Sequence, residues 1–457
     1  MSATTNDTSD PAARLQELIQ KREEILRGGD AHSQLNLIKE LVQKEEACVL
    51  EIERRRVDAI MKEYEEQHPL VTEECPLCLE DIQMTSMKSF VRFSCCGKGC
   101  CRECNLKATI HKVNKKCPMC RADIPTERKA SKQMKALAKK GVAFAQAQEG
   151  VKILSGGNGY PLDVKQAVKF LELASEQKDP IAMRFLGHTL YEGKLVTRDV
   201  QRGLSLTHEA ADLGNVESRL YLGKLYALGN GHMRDIPKAI HNYTIAYGYN
   251  HETQAQAGAA YHLGMYHFNT DGQYGKEFKA SMYYGEAVPI LMKNEYKEQE
   301  SYDCYSSMIL SKHYLSTAAE KGLKKAYFPL ALVLMDLHYV QYHGIDAPGH
   351  SVIPESMHLA LKAANDGEPE AKRWISSKQT AWSSFCAHCK ISSGTESAKL
   401  QQCSRCKSAW YCGKDCQITH WKDGHKLDCS RAKRLDEIVN AEKDKWLADK
   451  VMKSLGI

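Results

Sequence analysis

Residues 186–214 read LGHTLYEGKLVTRDVQRGLSLTHEAADLG, and this stretch carries the pattern that decides the fold. Its opening pair, Leu186-Gly187, recurs 36 residues later as Leu222-Gly223. A period of this length, made of two helices per unit, is typical of an α-solenoid. Each unit leaves an apolar face that only a neighbouring unit can cover, so several units must stack. We therefore predict a mainly α protein built around a solenoid.

The repeat extends beyond this stretch in both directions. Aspartates at the repeat spacing predict helix N-caps, and alanines at the same spacing predict close approach of neighbouring helices. These residues are Asp163, Asp199 and Asp235, and Ala174, Ala210 and Ala246. The segment EAADLG at 209–214 returns as TAAEKG at 317–322 and as KAANDG at 362–367. We place the solenoid at residues 125–375.

The combined pattern resembles Sel-one-like repeats of the tetratricopeptide superfamily, most strongly over residues 160–250. The resemblance implies stacked helix pairs that act as a scaffold for protein–protein interaction.

The distribution of cysteines is the second informative feature of the sequence. Of the 18 cysteines, nine lie between Cys75 and Cys120 and seven lie between Cys386 and Cys429. The N-terminal sequence MSATTNDTSDPAARLQ has no apolar stretch, so we expect a cytoplasmic or nuclear protein, in which clustered CxxC pairs are metal ligands rather than disulfides. The longest strongly apolar run, Phe328 to Met335, is far shorter than the ~20 residues that span a membrane.

The first cysteine cluster lies within residues 72–124. Its predicted zinc ligands are Cys75, Cys78, Cys95, Cys96, Cys101, Cys104, Cys117 and Cys120. Eight ligands make two tetrahedral sites, because structural zinc takes four Cys or His ligands and a CxxC knuckle aims two thiolates at one ion. The alternatives are a disulfide cluster and a different double-zinc fold, such as a PHD-like one.

The motifs CPLC at 75–78, CCREC at 100–104 and CPMCR at 117–121 make this segment similar to RING fingers of the all-cysteine type. The resemblance implies two interleaved zinc sites, one formed by Cys75, Cys78, Cys101 and Cys104 and the other by Cys95, Cys96, Cys117 and Cys120. Lys98 stands in the register where the usual RING has its histidine ligand. The sequence leaves open which of Cys95, Cys96 and Cys100 bind the second ion.

A RING has no covalent catalytic residue: it binds a ubiquitin-conjugating enzyme and restrains the thioester-linked ubiquitin for attack. The resemblance implies that Leu77, Ile110, Pro118 and Arg121 dock that enzyme, with Ile110 on the helix where many RINGs have tryptophan. We therefore predict a RING-type ubiquitin-protein ligase that acts on protein substrates. The alternative is a non-enzymatic scaffold, possibly in transcriptional regulation.

The second cysteine cluster spans residues 386–429. Its predicted zinc ligands are Cys386, Cys389, Cys403, Cys406, Cys412, Cys416, His425 and Cys429. The spacing of three residues between His425 and Cys429 sets both on one helical turn, which favours His425 over His420 as a ligand. Neither cluster leaves an open coordination position, so structural zinc, four ions in all, is the expected cofactor.

The sequence CSRCKSAWYCGKDCQITHWKDGHKLDC at 403–429 is closely similar to the MYND zinc finger. The resemblance implies one site formed by Cys386, Cys389, Cys412 and Cys416 and another formed by Cys403, Cys406, His425 and Cys429. It also implies that the finger binds short Pro-containing peptide motifs, with Trp410, Tyr411 and Gln417 lining the groove.

Helical segments flank these modules. We expect residues 1–10 to be disordered, residues 11–68 to form a helical stem and residues 430–457 to form a C-terminal helix. The second stem helix has apolar residues at 3,4 spacing, interrupted by Glu45 and Arg56. It either packs on its own chain or forms a coiled-coil homodimer.

The charge pattern gives little support for a nucleic-acid partner. The net charge of +6 is small for 457 residues. The Lys-rich stretch 107–140 has no interleaved aromatic residues, so we interpret it as a solvated helix face.

Overall fold

The computed structural model describes residues 10–28, 33–68, 72–83, 90–110, 116–156, 161–229, 234–249, 253–270, 304–342, 349–391, 400–431 and 436–437. They belong to two compact units: a central unit within residues 58–256 and a split unit within residues 1–57 and 257–445. All but one residue of the predicted disordered segment, and most of the predicted C-terminal helix, lie outside the described residues.

The described chain is mainly α, as predicted. Its helices are α1 (Pro11–Arg27), α2 (Leu35–Gln67), α3 (Arg102–Ile110), α4 (Glu127–Lys139), α5 (Ala143–Ser155), α6 (Val164–Glu176), α7 (Pro180–Glu192), α8 (Val200–Asp212), α9 (Val216–Leu228), α10 (Ile236–Gly248), α11 (Thr253–Thr270), α12 (Cys304–Glu320), α13 (Tyr327–Tyr342), α14 (Ile353–Asn365), α15 (Pro369–Trp382) and α16 (Lys414–His420). Its strands are β1 (Thr72–Glu74), β2 (Asp81–Gln83), β3 (Phe90–Arg92), β4 (Gly99–Cys101), β5 (Gln401–Gln402) and β6 (Trp410–Tyr411). Within these ranges, no helix is long and apolar enough to cross a bilayer.

Within the described ranges, the strands lie only in the two cysteine clusters. They form three antiparallel two-stranded sheets, β1 with β2, β3 with β4 and β5 with β6. Sheets this small are marginal by themselves, so the clusters need another source of stability.

The solenoid helices begin where the repeated aspartates predict. The side chains of Asp163, Asp199 and Asp235 accept hydrogen bonds of 2.9–3.0 Å from backbone N–H groups three residues further on. Each satisfies a donor that the first turn of a helix leaves without an intrahelical partner. The aspartate spacing therefore marks the helix starts of α6, α8 and α10.

The repeated Leu-Gly pair is a packing requirement. A Cβ atom at Gly187 would lie 2.7 Å from the Thr207 hydroxyl oxygen and 2.8 Å from the Gly203 carbonyl oxygen. At Gly223 it would lie 2.4 Å from the ring of Tyr243. Glycine at these positions lets α7 pack closely on α8, and α9 on α10.

The stem helix α2 packs on its own chain in the split unit. Ile38, Val42 and Val49 are buried there. Glu45 is buried too and accepts hydrogen bonds from Arg22 Nε at 2.9 Å and from the Tyr305 hydroxyl. The structure therefore favours the packed helix over the coiled-coil homodimer, because the chain itself covers this face.

Arg56, the second polar residue that interrupts the apolar stripe of α2, also has partners within the chain. Arg56 Nη2 donates to Glu53 at 2.7 Å, and the buried Tyr314 hydroxyl donates to the same carboxylate. Burial raises the pKa of the Glu53 carboxyl, but Arg56, the Tyr314 hydroxyl and His267 together outweigh burial, so the pKa is lowered. Polar residues on α2 thus satisfy buried polar groups of α12.

The division between the two units falls inside the predicted solenoid at 125–375. Residues after 256 cluster with the N-terminal helices rather than with the preceding repeats. The contacts of α2 with Tyr305, Lys312 and Tyr314 give the physical reason, since they connect α12 to the stem.

We predict that Gly187→Ala destabilises the solenoid by about 1–3 kcal/mol, because the added methyl group overlaps backbone and side-chain atoms of α8. The measurement is the urea midpoint of the full-length chain. Gly28→Ala is the matched control, because its Cβ atom would be 3.4 Å from the nearest atom and its φ is −73°. Equal midpoints for both variants would contradict the packing role of Gly187.

Candidate metal centres

The structure gathers the sixteen predicted zinc ligands into four groups of four. Within each group the ligand atoms lie within 4.8 Å of one another. The groups are Cys75, Cys78, Cys101 and Cys104; Cys95, Cys96, Cys117 and Cys120; Cys386, Cys389, Cys412 and Cys416; and Cys403, Cys406, His425 and Cys429. These are the sets that the two resemblances imply.

The spacing within the groups fits zinc. A Zn–S distance of about 2.3 Å places two sulfurs on one tetrahedral ion about 3.8 Å apart, and a sulfur and a histidine nitrogen about 3.6 Å apart. Observed separations are 3.9 Å for Cys78–Cys101 and for Cys96–Cys117, 3.5 Å for Cys95–Cys120 and for Cys389–Cys412, and 3.6 Å between Cys406 Sγ and His425 Nε2. These distances suit ligands of a shared ion.

Four CxxC motifs adopt the same turn. In each, the residue four positions after the first cysteine has a left-handed backbone, and its N–H donates to the carbonyl of that cysteine at 2.8–3.1 Å. These residues are Leu79, Arg121, Lys390 and Lys407, with φ between 57° and 61°. Left-handed backbone is unusual for residues other than glycine, so its recurrence identifies a shared zinc-knuckle geometry.

A fifth turn of this kind explains the adjacent pair Cys95-Cys96. The Gly97 N–H donates to the Phe93 carbonyl at 2.8 Å, and Gly97 is left-handed with φ 77°. Phe93 occupies the place of the first knuckle cysteine, and Cys96 occupies the place of the second. The tight turn thereby brings both Cys95 and Cys96 to the same group.

The three remaining cysteines have different surroundings. Cys100 is fully buried in β4 opposite Val91, and burial raises its pKa to about 12. Cys48 is buried on α2, where Arg14 Nε lies 3.3 Å from its sulfur. The side chain of Cys304 lies outside the described residues. Cys100 therefore belongs to the core of the first cluster and lies outside its two ligand groups.

At Cys75 and Cys386, backbone amides favour the thiolate form that metal binding requires. Burial opposes ionisation of Cys75, but N–H groups, including that of Cys101 at 3.3 Å, outweigh it and lower the pKa to about 6. At Cys386, burial is likewise outweighed by the N–H groups of Cys389 and Cys412, and the pKa is again lowered to about 6. The pKa of a second thiol is also lowered in each cluster, at Cys120 and at Cys403, so each cluster contains thiols prepared to lose a proton.

The first cluster is packed against the start of the solenoid, within the central unit. Ser94 donates a hydrogen bond of 3.0 Å to the side chain of Gln133 on α4. The guanidinium of Arg92 pairs with Glu73 and lies 5.1 Å from the ring centroid of Phe144 on α5. These contacts fix the cluster on the solenoid helices.

The predicted docking residues of the first cluster are distributed as follows. Leu77 is 44% exposed, Arg121 is exposed and Pro118 is partly buried. The side chain of Ile110 lies outside the described residues. Two exposed leucines were missed by sequence reasoning: Leu79, 73% exposed on the first knuckle, and Leu106, 40% exposed on α3. The left-handed turn after a CxxC motif is the signal that could have identified Leu79.

In the second cluster, the structure separates the roles of the two candidate histidines. Nε2 of His425 faces the sulfur of Cys406, whereas Nδ1 of His420 lies 3.0 Å from the Tyr411 hydroxyl. The two imidazole rings are stacked, with centroids 4.9 Å apart. His420 therefore supports the ligand His425 instead of joining the ligand group.

The structure places Tyr411, a predicted peptide-binding residue, inside the finger. Its side chain is 1% exposed, and its ring packs among the ligand cysteines Cys386, Cys403 and Cys429. Trp410 is also buried, and Gln417 is partly buried. Strand β6 thus places Tyr411 among the ligand cysteines, and Trp410, the neighbouring residue of the strand, is buried as well.

The second cluster is fixed to the α13–α14 connection. Oδ2 of the buried Asp428 accepts a hydrogen bond of 2.8 Å from the Gly349 N–H. Arg431 donates to the Gly349 carbonyl at 2.9 Å and pairs with Asp428. The residue next to the ligand Cys429 thus anchors the finger to the helical part of the split unit.

Comparison with protein families agrees with this description. Residues 386–429 match the MYND finger, and residues 143–179, 180–215 and 216–247 match the Sel1 repeat. The chain carries a MYND finger and Sel1 repeats. The fold class predicted for these two modules is confirmed, and the four ligand groups are compatible with zinc.

Curated relatives match only short stretches. Ubiquitin carboxyl-terminal hydrolase 19 of Arabidopsis thaliana is 49% identical over 39 residues, which are 8% of this chain and 6% of the relative. Ubiquitin carboxyl-terminal hydrolase 15 of the same plant is 45% identical over 56 residues, 12% of this chain and 6% of the relative. The chain therefore spans about 6% of the length of these proteins, and the likeness concerns one small part of each.

Solved structures with some likeness include a Sel1 repeat protein from Oxalobacter formigenes. It has 17% identity and a TM-score of 0.38, and the match covers 55% of this chain and 83% of that one. A protective antigen of uropathogenic Escherichia coli with an SLR fold has 17% identity and a TM-score of 0.35, with coverage of 74% and 69%.

We predict that the full-length protein binds about four zinc ions and that His425→Ala lowers the content to about three. His420→Ala is the matched control and should retain about four ions, because its ring lies outside the ligand group. Plasma mass spectrometry of the purified chains measures the content. If His420→Ala lost an ion and His425→Ala kept all four, His420 would be the ligand, and the assignment of His425 would be contradicted.

Proposed function

We propose that this chain is a RING-type ubiquitin-protein ligase of the cytosol or nucleus, in which the Sel1 solenoid and the MYND finger recruit protein substrates. The coarser part of this statement rests on the matched modules, since zinc fingers and Sel1 repeats together make a protein-interaction scaffold. The finer part, ligase activity, rests on the first cysteine cluster.

The observation that carries the ligase proposal is the exposed pair Leu77 and Arg121 on the knuckles of two interleaved ligand groups in the first cluster. The first group uses the first and third cysteine pairs in chain order, and the second group uses the second and fourth pairs. Interleaved groups of this kind are the ligand order implied by the RING resemblance. The MYND finger interleaves its two ligand groups in the same order, so the exposed knuckle residues, and not the interleaving alone, support the ligase.

The surface chemistry of the cluster supports the same proposal. Leu77 projects from the knuckle of the first group and Pro118 belongs to the knuckle of the second. Arg121 follows the last ligand directly, and its left-handed backbone with φ 57° sets its position. An apolar residue and a cation at these positions suit the docking of a conjugating enzyme and its ubiquitin.

In this mechanism the chain does no covalent chemistry. Zinc in the four-ligand groups is structural: it contributes the folding free energy of the small modules. The residues at the knuckle tips bind the conjugating enzyme and restrict the motion of its ubiquitin thioester, which favours attack by a substrate lysine. The contacts of Ser94 with Gln133 and of Arg92 with Phe144 hold this cluster against the repeats that bind the substrate.

A non-enzymatic scaffold is the second candidate. The observation that favours it is that both modules matched by family comparison are interaction modules. In that case the first cluster binds proteins without stimulating ubiquitin transfer.

We predict autoubiquitylation by the full-length protein with at least one member of a panel of conjugating enzymes. Leu77→Ala should reduce the rate by about tenfold or more, because it removes an exposed apolar docking residue. Arg121→Asn should act similarly, and asparagine tolerates the left-handed backbone at this position. Gel assays with ubiquitin and activating enzyme measure the rate.

Leu427→Ala is the matched control, because it is the same substitution at an exposed leucine, 62% exposed, that lies on the MYND finger. All variants should keep full zinc content. Absence of activity with every panel member, at full zinc loading, would reject the ligase in favour of the scaffold.

A further inference from the structure

Helix α4 and the residue that follows it carry nearly all of the net positive charge of the chain. Residues 127–140 contain six cations and one acid, a net charge of +5, whereas the whole chain has a net charge of +6. The six cations, all exposed, are Arg128, Lys129, Lys132, Lys135, Lys139 and Lys140. The rest of the chain is therefore almost neutral, and its charge is concentrated on this one element.

Four of these cations form a straight line along α4, which we call the cationic stripe. They are Arg128, Lys132, Lys135 and Lys139. At about 100° per residue, their side chains lie within about 60° of one another around the helix axis, and the stripe is about 16 Å long. On the other side of the helix, Met134 and Ala138 are buried in a cluster with Phe144 and Phe170. The apolar side of α4 thus faces the chain, and the cationic side faces solvent.

Most cations of this stripe lack the acidic partners that cations of later solenoid helices have. Arg128, Lys132 and Lys139 form no ion pair with the described residues, and neither do the flanking Lys129 and Lys140. On the later helices, the pairs are Arg184 with Glu217 at 2.8 Å, Arg202 with Glu172 at 3.0 Å and Arg219 with Asp212 at 2.6 Å. Like charges three or four residues apart destabilise a helix, so an anionic ligand would relieve a repulsion within the stripe.

Three classes of anionic ligand are conceivable for a cationic stripe, and α4 favours an acidic protein segment. A helix that binds a bilayer inserts its apolar face, but Met134 and Ala138 are buried within the chain. Single-stranded nucleic acid stacks its bases on aromatic side chains, and α4 has no aromatic residue. An extended acidic segment needs cations alone.

The spacing of the stripe also suits an extended segment. Alternate side chains of an extended chain lie on one side at intervals of about 6.6 Å. Successive residues of the stripe are three or four positions apart, which is a rise of about 4.5–6 Å along the helix. Carboxylates at alternate positions of an extended segment can therefore follow the cations from one end of α4 to the other.

The stripe lies on a helix that contacts the first cysteine cluster. Gln133 of α4 accepts the hydrogen bond of 3.0 Å from Ser94, the residue before the ligand Cys95. Leu137 of α4 lies near Gly97 of the same turn, where a Cβ atom would be 3.6 Å from the Leu137 side chain. A segment bound along α4 is thus held next to the cluster to which the ligase proposal assigns the conjugating enzyme.

We propose that the cationic stripe of α4 binds an extended acidic segment of a partner protein, with glutamate or aspartate at alternate positions. The carboxylates pair with Arg128, Lys132 and Lys139, and the charges of Lys129 and Lys140 strengthen the attraction. The proposal rests on the recruiting role in the proposed function, and it names the chemistry of the recruited partner.

The test measures the binding of labelled, blocked peptides to the full-length protein by fluorescence anisotropy. The acidic peptide alternates glutamate with serine over about seven residues, enough to span the stripe, and the matched peptide has glutamine in place of glutamate. We expect the acidic peptide to bind about tenfold more tightly at low ionic strength. The difference should shrink at physiological ionic strength, because salt screens exposed charges.

Variants assign the preference to the stripe. The double variant Lys132→Gln/Lys139→Gln should weaken binding of the acidic peptide about tenfold, and glutamine preserves helix propensity. Lys325→Gln/Lys372→Gln is the matched control, because it makes the same change in net charge at two exposed lysines of the split unit. Circular dichroism verifies folding. Arg128→Gln, with a smaller expected loss, keeps the test decisive if the double variant misfolds.

Equal binding of the acidic and glutamine peptides at low ionic strength would overturn the proposal, as would equal losses in the stripe and control variants. Tighter binding by an oligonucleotide of the same net charge, or stripe-dependent binding to phosphatidylserine vesicles without binding to the peptide, would overturn it in favour of another partner class. These assays contain no ubiquitin or conjugating enzyme. Their failure and the failure of autoubiquitylation are therefore observed separately.

Discussion

Shared coordination by four side chains is the constraint on which both cysteine modules depend. Their strands are two or three residues long, and their buried clusters consist largely of the ligands themselves. Such small cores supply little free energy of folding, whereas a structural zinc ion supplies about 10–16 kcal/mol of apparent binding free energy. The left-handed knuckle residues Leu79, Arg121, Lys390 and Lys407 are tolerated because the ligands beside them fix the turn.

Each cysteine module is also tied to other segments of its own unit. The MYND finger uses Asp428 and Arg431 to bind the backbone of Gly349, and the first cluster uses Ser94 to reach Gln133. These contacts are polar and geometrically specific. A finger that is held in this way presents its exposed residues in a defined direction, which suits a protein that positions partners.

Local spacing made much of this structure predictable. The aspartate caps, the Leu-Gly pair and the CxxC motifs act over a few residues, so their physical roles are visible in the sequence. Long-range partners are not: Glu45 interrupts an apolar stripe, and its partner Tyr305 lies 260 residues away. The sequence also does not reveal that Tyr411 is buried or that Phe93 begins the knuckle turn of Cys96. Both features depend on backbone geometry rather than on residue type.

X-ray absorption at the zinc edge of the full-length protein tests the central claim most directly. The four groups contain fifteen sulfur ligands and one nitrogen ligand. We predict about four zinc ions per chain, with a first shell dominated by sulfur at about 2.3 Å. A substantial oxygen or nitrogen contribution, or fewer than four ions per chain, would contradict the assignment of four structural zinc sites.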